Sequence, residues 1–201
     1  MKKGFKPREL TLLGLLTAVL LVMSWTPLGY LNIGPLAITL NMIPVAISAI
    51  ALGPLGGAVT GAIFGLTSFL QCMGIGGTSA MGVATFEISP VLTFVHRFFP
   101  RLITGLLLGF IHPAAKKITN PTLAPYITGF FAAFLNTALF LSSLGLFFGN
   151  TEYVQGLLGG KNLVVGLCLM AGINAVFEMI VSPIISGLLG NTLEKARLIR
   201  R

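Results

Sequence analysis

Residues 163–189 read LVVGLCLMAGINAVFEMIVSPIISGLL. One acid, Glu178, and one amide, Asn174, interrupt an otherwise apolar or small-residue run. A helix that crosses the hydrocarbon core of a bilayer needs about 20 predominantly apolar residues. This stretch is long enough, and it is apolar around its whole circumference, which a helix on the surface of a soluble domain is not. Four more runs resemble it, over residues 10–25, 36–52, 90–111 and 124–147, with a shorter one at 58–71. The predicted fold class is an all-α integral membrane protein of six transmembrane helices, with 1–201 as a single transmembrane domain.

The composition agrees. The chain has 201 residues, of which 55% are hydrophobic and only 9% charged, whereas soluble domains carry about 25% charged residues. A soluble enzyme, a nucleic-acid binder and a disordered chain are excluded. Six spans of about 20 residues use about 120 of them, so no aqueous domain is expected. The chain contains no G-x-x-x-x-G-K-[ST] phosphate loop, so an ATPase or other energy source would be a partner. Cys72 and Cys168 are read as packing residues, and neither a metal nor a cofactor is expected.

The breaks between spans are chemical. Gly53-Pro54-Leu55-Gly56-Gly57 is a tight turn, because glycine admits positive φ and proline cannot continue a helix. A glycine-rich loop follows the third span, from Cys72 to Gly82, and is a candidate lid over an outer pocket. Trp25 and Tyr30 are placed at the interface as belt aromatics. Lysines and arginines set the orientation. Ten of the thirteen fall in the start, at Lys116 and Lys117, or in the tail. Basic residues stay on the cytoplasmic side, so both termini are predicted to be cytoplasmic. The net charge of +8 is mainly this topology signal.

Helices in lipid approach one another through small residues. Gly14 and Ala18, then Gly57, Gly61 and Gly65, then Gly105 and Gly109 are such sets, for internal packing or for docking a membrane partner. Ionisable groups within spans are costly and are usually paired or functional. Arg97 and Arg101 lie four apart on one helix, and Asn174 and Glu178 lie four apart on another, so each pair shares a face. With the amides Asn41, Gln71 and Asn136, these groups are expected to converge on a shared interior. Arg101 and Glu178 are the expected buried ion pair. Arg97 has few acids available, Glu87 being the nearest alternative, and would take a ligand carboxylate or phosphate. His96 is read as an interfacial or packing residue.

The order of these features resembles the substrate-binding S components of energy-coupling factor (ECF) vitamin transporters. The resemblance covers nearly the whole chain. It rests on Gly14 and Ala18 in the first span, and on Leu52-Gly53-Pro54-Leu55-Gly56-Gly57-Ala58. It rests also on Phe64-Gly65-Leu66-Thr67-Ser68-Phe69, Ser89-Pro90 and His96-Arg97-Phe98-Phe99-Pro100-Arg101-Leu102. The resemblance implies high-affinity binding of a vitamin in an outward-facing pocket gated by the loops between spans 1 and 2 and between spans 3 and 4. It implies docking, through Gly14 and Ala18, on a transmembrane coupling protein driven by two ATPase subunits. Gly14 stands where the family usually has alanine. The run around Arg97 and Arg101 is most similar to the pantothenate-type members. Pantothenate offers one carboxylate, two hydroxyls and an amide, which Arg97, Asn136, Asn174, Gln71 and Thr67 could meet, with Arg101 and Glu178 alongside. Folate, riboflavin or a queuosine-type precursor are the alternatives. A self-contained secondary transporter lacks visible inverted repeats. An intramembrane enzyme lacks a nucleophile–base pair or clustered metal ligands, since His96 and His112 are far apart and no helix carries paired acids.

Overall fold

A computed structural model describes residues 6–32, 37–77 and 79–196. Five of its helical stretches are long and apolar enough to cross a membrane: Pro7–Ser24, Met42–Met73, Pro90–Ile118, Ala124–Phe148 and Leu163–Lys195. We label the elements α1 (Pro7–Ser24), β1 (Tyr30–Asn32), β2 (Ala37–Thr39), α2 (Met42–Leu70), α3 (Ala80–Ile88), α4 (Pro90–Ile118), α5 (Ala124–Phe148), α6 (Glu152–Leu158) and α7 (Leu163–Lys195). A 3₁₀ turn, Gln71–Met73, extends α2. The chain is a multi-pass, all-α membrane protein with one two-stranded antiparallel ribbon, β1–β2.

α2 is bent back on itself. Gly53 has φ 73° and ψ −160°, outside the helical region, a conformation that glycine adopts without a Cβ penalty. A Cβ placed on Gly57 would lie 2.9 Å from that of Ala49. Eight residues rise about 12 Å along an unbroken helix, so arms 42–52 and 54–70 run beside each other. The first arm is wholly interior: every residue from Asn41 to Ile50 is buried. The second packs backbone to backbone on α4. Gly57 meets the Gly105 carbonyl, Gly61 the Arg101 carbonyl, and Gly65 the backbone of Phe98. Both glycine sets on α2 and α4 therefore serve internal packing, while Gly14 and Ala18 on α1 face outward and a Cβ on Gly14 would touch nothing.

The core runs through Leu20, Met42, Val45, Phe64, Leu108 and Ala132. At one end of the bundle, Leu12 of α1 and Leu193 of α7 join one apolar cluster, and Lys116 of α4 pairs with Glu194 of α7. Lys116, Lys117 and Lys195 thus gather at that end, beside the start of α1, whereas a cavity is lined from Ser24 and Trp25 at the other end of α1.

Several expected boundaries are corrected. The second span does not begin at residue 36: the ribbon occupies Tyr30–Asn32 and Ala37–Thr39, and the helix starts at Met42. Leu36 itself lies outside the described residues. Residues 80–88 form α3 rather than loop, with Ser79 accepting the Gly82 N–H as N-cap. α4 continues through Pro113 to Ile118, so Lys116 and Lys117 sit in its last turn. α6 forms within the predicted 149–161 loop. α7 continues through Pro183 to Lys195. Arg197, Arg200 and Arg201, and Lys2 and Lys3, lie outside the described residues.

Candidate functional site

A cavity of about 630 Å³ opens between α1, the ribbon, the glycine loop, α3, α4, α5 and α7. Small-molecule sites typically fall in the range of about 300–1,000 Å³. Three helices each present a pair of residues four apart: Arg97 and Arg101 from α4, Asn136 and Phe140 from α5, and Asn174 and Glu178 from α7. That spacing puts both members on one helix face, and ridge-to-groove packing of the three helices turns the faces toward one space. Gln71, Ser79, Tyr30 and Thr39 complete the polar wall.

Arg97 is 6% exposed and Arg101 4%. Arg97 Nη2 donates to Ser79 Oγ at 3.4 Å, and its guanidinium carbon lies 5.3 Å from the Phe140 ring centre. Arg101 Nη1 donates to the His96 carbonyl at 3.2 Å. Its guanidinium lies 4.8 Å from Phe140 and 5.5 Å from Phe64. Phe140 thus carries both cations, an arrangement favoured by the negative face of an aromatic ring. Phe140 is held in turn by His96, whose ring centre is 4.4 Å away. His96 Nδ1 meets Ser143 Oγ at 2.7 Å, and the Ser143 hydroxyl donates to the Phe140 carbonyl. The serine oxygen therefore accepts the Nδ1–H.

Neither arginine has a carboxylate partner among the described residues, whose ion pairs are His112–Glu194 and Lys116–Glu194. The expected Arg101–Glu178 pair is not formed. Glu178 Oε1 instead accepts the backbone N–H of Thr39 at 2.6 Å. Glu87 is exposed and makes no ion pair with Arg97. The Nε of each arginine is buried without a partner. Burying an unpaired charge costs free energy that an anionic ligand recovers.

The other expected site residues divide. Asn136 is 4% exposed and its Oδ1 has no partner. Asn174 is buried on the cavity wall. Gln71 also lines the wall, and its Nε2 donates to the Ser24 carbonyl at 2.6 Å. Thr67 does not line the cavity: its hydroxyl lies behind Gln71, bonded to the Phe64 carbonyl at 2.9 Å and to Ser24 Oγ at 3.3 Å. Trp25 and Tyr30 both reach the cavity. His96 is fully buried rather than interfacial. Sequence reasoning missed Phe140, Ser79 and Thr39. Phe140 was findable, because it stands four residues from Asn136 on the same helix face.

The fold and site define a multi-pass membrane protein with a cavity of small-molecule size walled by two buried arginines. The chain belongs to the family of ECF transporter substrate-specific components, whose model matches residues 8–189. That family is one of transporter components. The chain is similar to the pantothenic acid transporter PanT of Lactococcus lactis subsp. cremoris, with 28% identity covering 98% of each chain. It is also similar to the pantothenate transporter PanT of Leuconostoc mesenteroides subsp. mesenteroides, with 28% identity covering 94% of this chain and 93% of that one.

Proposed function

We propose that this chain binds pantothenate from outside the cell as the vitamin-binding subunit of an ECF importer. The observation that carries this is a cavity holding two buried guanidiniums with no carboxylate partner among the described residues. Both relatives named above carry the vitamin's name. Arg97 takes the carboxylate, with Arg101 beside it on the shared Phe140 ring. Asn136, Asn174 and Gln71 meet the hydroxyls and the amide. Thr67 supports Gln71 from behind.

In this reading six segments cross the bilayer and both termini are cytoplasmic. The return at Gly53 supplies the sixth crossing. Arm 42–52 rises about 16 Å, short of the roughly 30 Å hydrocarbon core. It is shielded by protein throughout, and the ribbon completes its path. Gly14 and Ala18 form the outward docking face for a transmembrane coupling protein, which two ATPase subunits drive. The test is calorimetric titration of the purified full chain with pantothenate, riboflavin, folate and thiamine. Saturable binding of pantothenate alone is expected. Binding of another of these vitamins in its place would overturn the reading.

A further inference from the structure

The β1–β2 ribbon is backbone inside a membrane bundle, where each peptide group needs a protein partner. Its register pairs Tyr30 with Thr39 and Leu31 with Ile38. The Leu40 N–H donates to the Gly29 carbonyl at 3.1 Å. Hydrogen-bonded and non-hydrogen-bonded pairs alternate along an antiparallel ladder. Gly29–Leu40 is of the bonded kind, so Tyr30–Thr39 is of the other, and the Thr39 N–H points away from β1. An amide so placed has no partner in the ribbon.

Glu178 supplies that partner. Its carboxylate comes from α7, 139 residues away in sequence, and closes to 2.6 Å on the Thr39 nitrogen. It is 5% exposed and lines the cavity together with Tyr30 and Thr39. No described ion pair includes it. An acid in the span is costly unless something requires it, and here one of its oxygens accepts from a backbone amide of the cavity wall. Tyr30, on the opposite strand, packs on Phe64, which also carries Arg101. The position of the ribbon therefore fixes one side of the space around the arginines.

We propose that Glu178 is a positioning residue: it fastens the β1–β2 ribbon to α7 as a closed wall of the cavity, and it governs ligand retention through that wall rather than by touching the ligand. This rests on the vitamin-binding reading for its affinity arm only. The chemistry asks for an acceptor and not for a charge. Gln at 178 retains an oxygen acceptor of the same reach, whereas Ala does not.

The test uses the full chain with Cys72 and Cys168 replaced by serine and a reporter Ala171→Cys on the cavity wall. Pantothenate and pantothenyl alcohol binding are measured by titration and dissociation by stopped flow. Labelling of the reporter by a charged thiol reagent is followed without ligand. Glu178→Ala should weaken acid and alcohol alike by about tenfold, the loss of one hydrogen bond to a charged group. The loss should appear as faster dissociation, and the reporter should label faster. Glu178→Gln should keep affinity within about threefold of the parent and keep slow labelling. Thr39→Pro removes the N–H from the other side. It should match Glu178→Ala, and the double variant should add little to either. Thr39→Pro also keeps the test open if Glu178→Ala does not fold. The proposal is overturned if Gln behaves like Ala, or if only the acid is weakened, which would mean a direct electrostatic role. Unchanged labelling in Glu178→Ala and Thr39→Pro would overturn it too. Failure of the unsubstituted full chain to bind pantothenate would sink the vitamin reading and leave the labelling arm to decide the latch.

Discussion

Removing the Arg97 guanidinium tests the site most directly. Arg97 makes a hydrogen bond to Ser79 Oγ at 3.4 Å and a ring contact with Phe140. A carboxylate placed against it would make charge-assisted hydrogen bonds where water is largely excluded. A hydrogen bond to a charged group contributes about 1.5–3 kcal/mol. Since about 1.4 kcal/mol is a factor of ten, Arg97→Ala should weaken pantothenate binding roughly 10- to 150-fold. Arg101 lies on the other contact of the same Phe140 ring, so partial compensation pulls the expected value toward the lower end. Arg97→Lys should recover part of the loss, restoring the charge without the planar fork. The assay is titration of purified variants with pantothenate and with pantothenyl alcohol, which lacks the carboxylate. The alcohol should bind the parent weakly and lose little more in Arg97→Ala. That control matters because Ser79 also caps α3, so the substitution could loosen the pocket wall for any ligand. Equal weakening of acid and alcohol in a folded protein would refute the assignment of Arg97 to the carboxylate.

Three further outcomes are expected. Gly14→Leu with Ala18→Leu should abolish vitamin uptake by the assembled transporter while leaving ligand binding by the isolated subunit intact; loss of both would mean that the face packs the fold. Gly57→Ala should lower the thermal midpoint by several degrees, since its Cβ would meet the Gly105 carbonyl and overpacking costs about 1–3 kcal/mol. Gly14→Ala, with open space around the new Cβ, should leave the midpoint unchanged, and a larger drop there than at Gly57 would contradict the packing described. Reporter fusions after Lys117 and after the C-terminus should read as cytoplasmic and one near Glu152 as external; a cytoplasmic signal at Glu152 would break the six-crossing topology.

The long spans were legible because hydropathy is read over many residues at once. The turn at Gly53-Pro54 was legible because only glycine takes that conformation cheaply and proline stops a helix behind it. Ser89 and Asn162 each accept a first-turn N–H and cap the starts of α4 and α7. The ribbon was not legible. Its strands have three residues each, too few for a period of two to show against an apolar background. The fourth span was ended at residue 111, short of Pro113, whereas α4 continues through that proline to Ile118; the last span was carried through Pro183, and α7 does continue through it. In a membrane, leaving the helix exposes more backbone than the proline disrupts, and neighbouring groups repair the freed carbonyl.

The site shows a different limit, at Arg101 and Glu178. Matching opposite charges assumes that ions in a membrane seek ions. The rise of about 1.5 Å per residue already placed Glu178 about 6 Å deeper than Arg101 from the outer edge. At that depth a strand amide was the nearer unsatisfied group, and a carboxylate meets it as well as it meets a cation. With Glu178 bonded to Thr39, neither arginine has a contact ion pair among the described residues. Arg97 and Arg101 rest on the Phe140 and Phe64 rings, a carbonyl and a hydroxyl, contacts that steady a cation without neutralising it. Had Glu178 paired with Arg101, the pocket would have filled its own anion site and a ligand carboxylate would have had to displace it. Bonded to the wall, Glu178 leaves both guanidinium groups at the cavity without a contact ion pair, so in the proposed reading the residue that looks like a competitor for the ligand carboxylate holds the wall and leaves the arginines accessible to it.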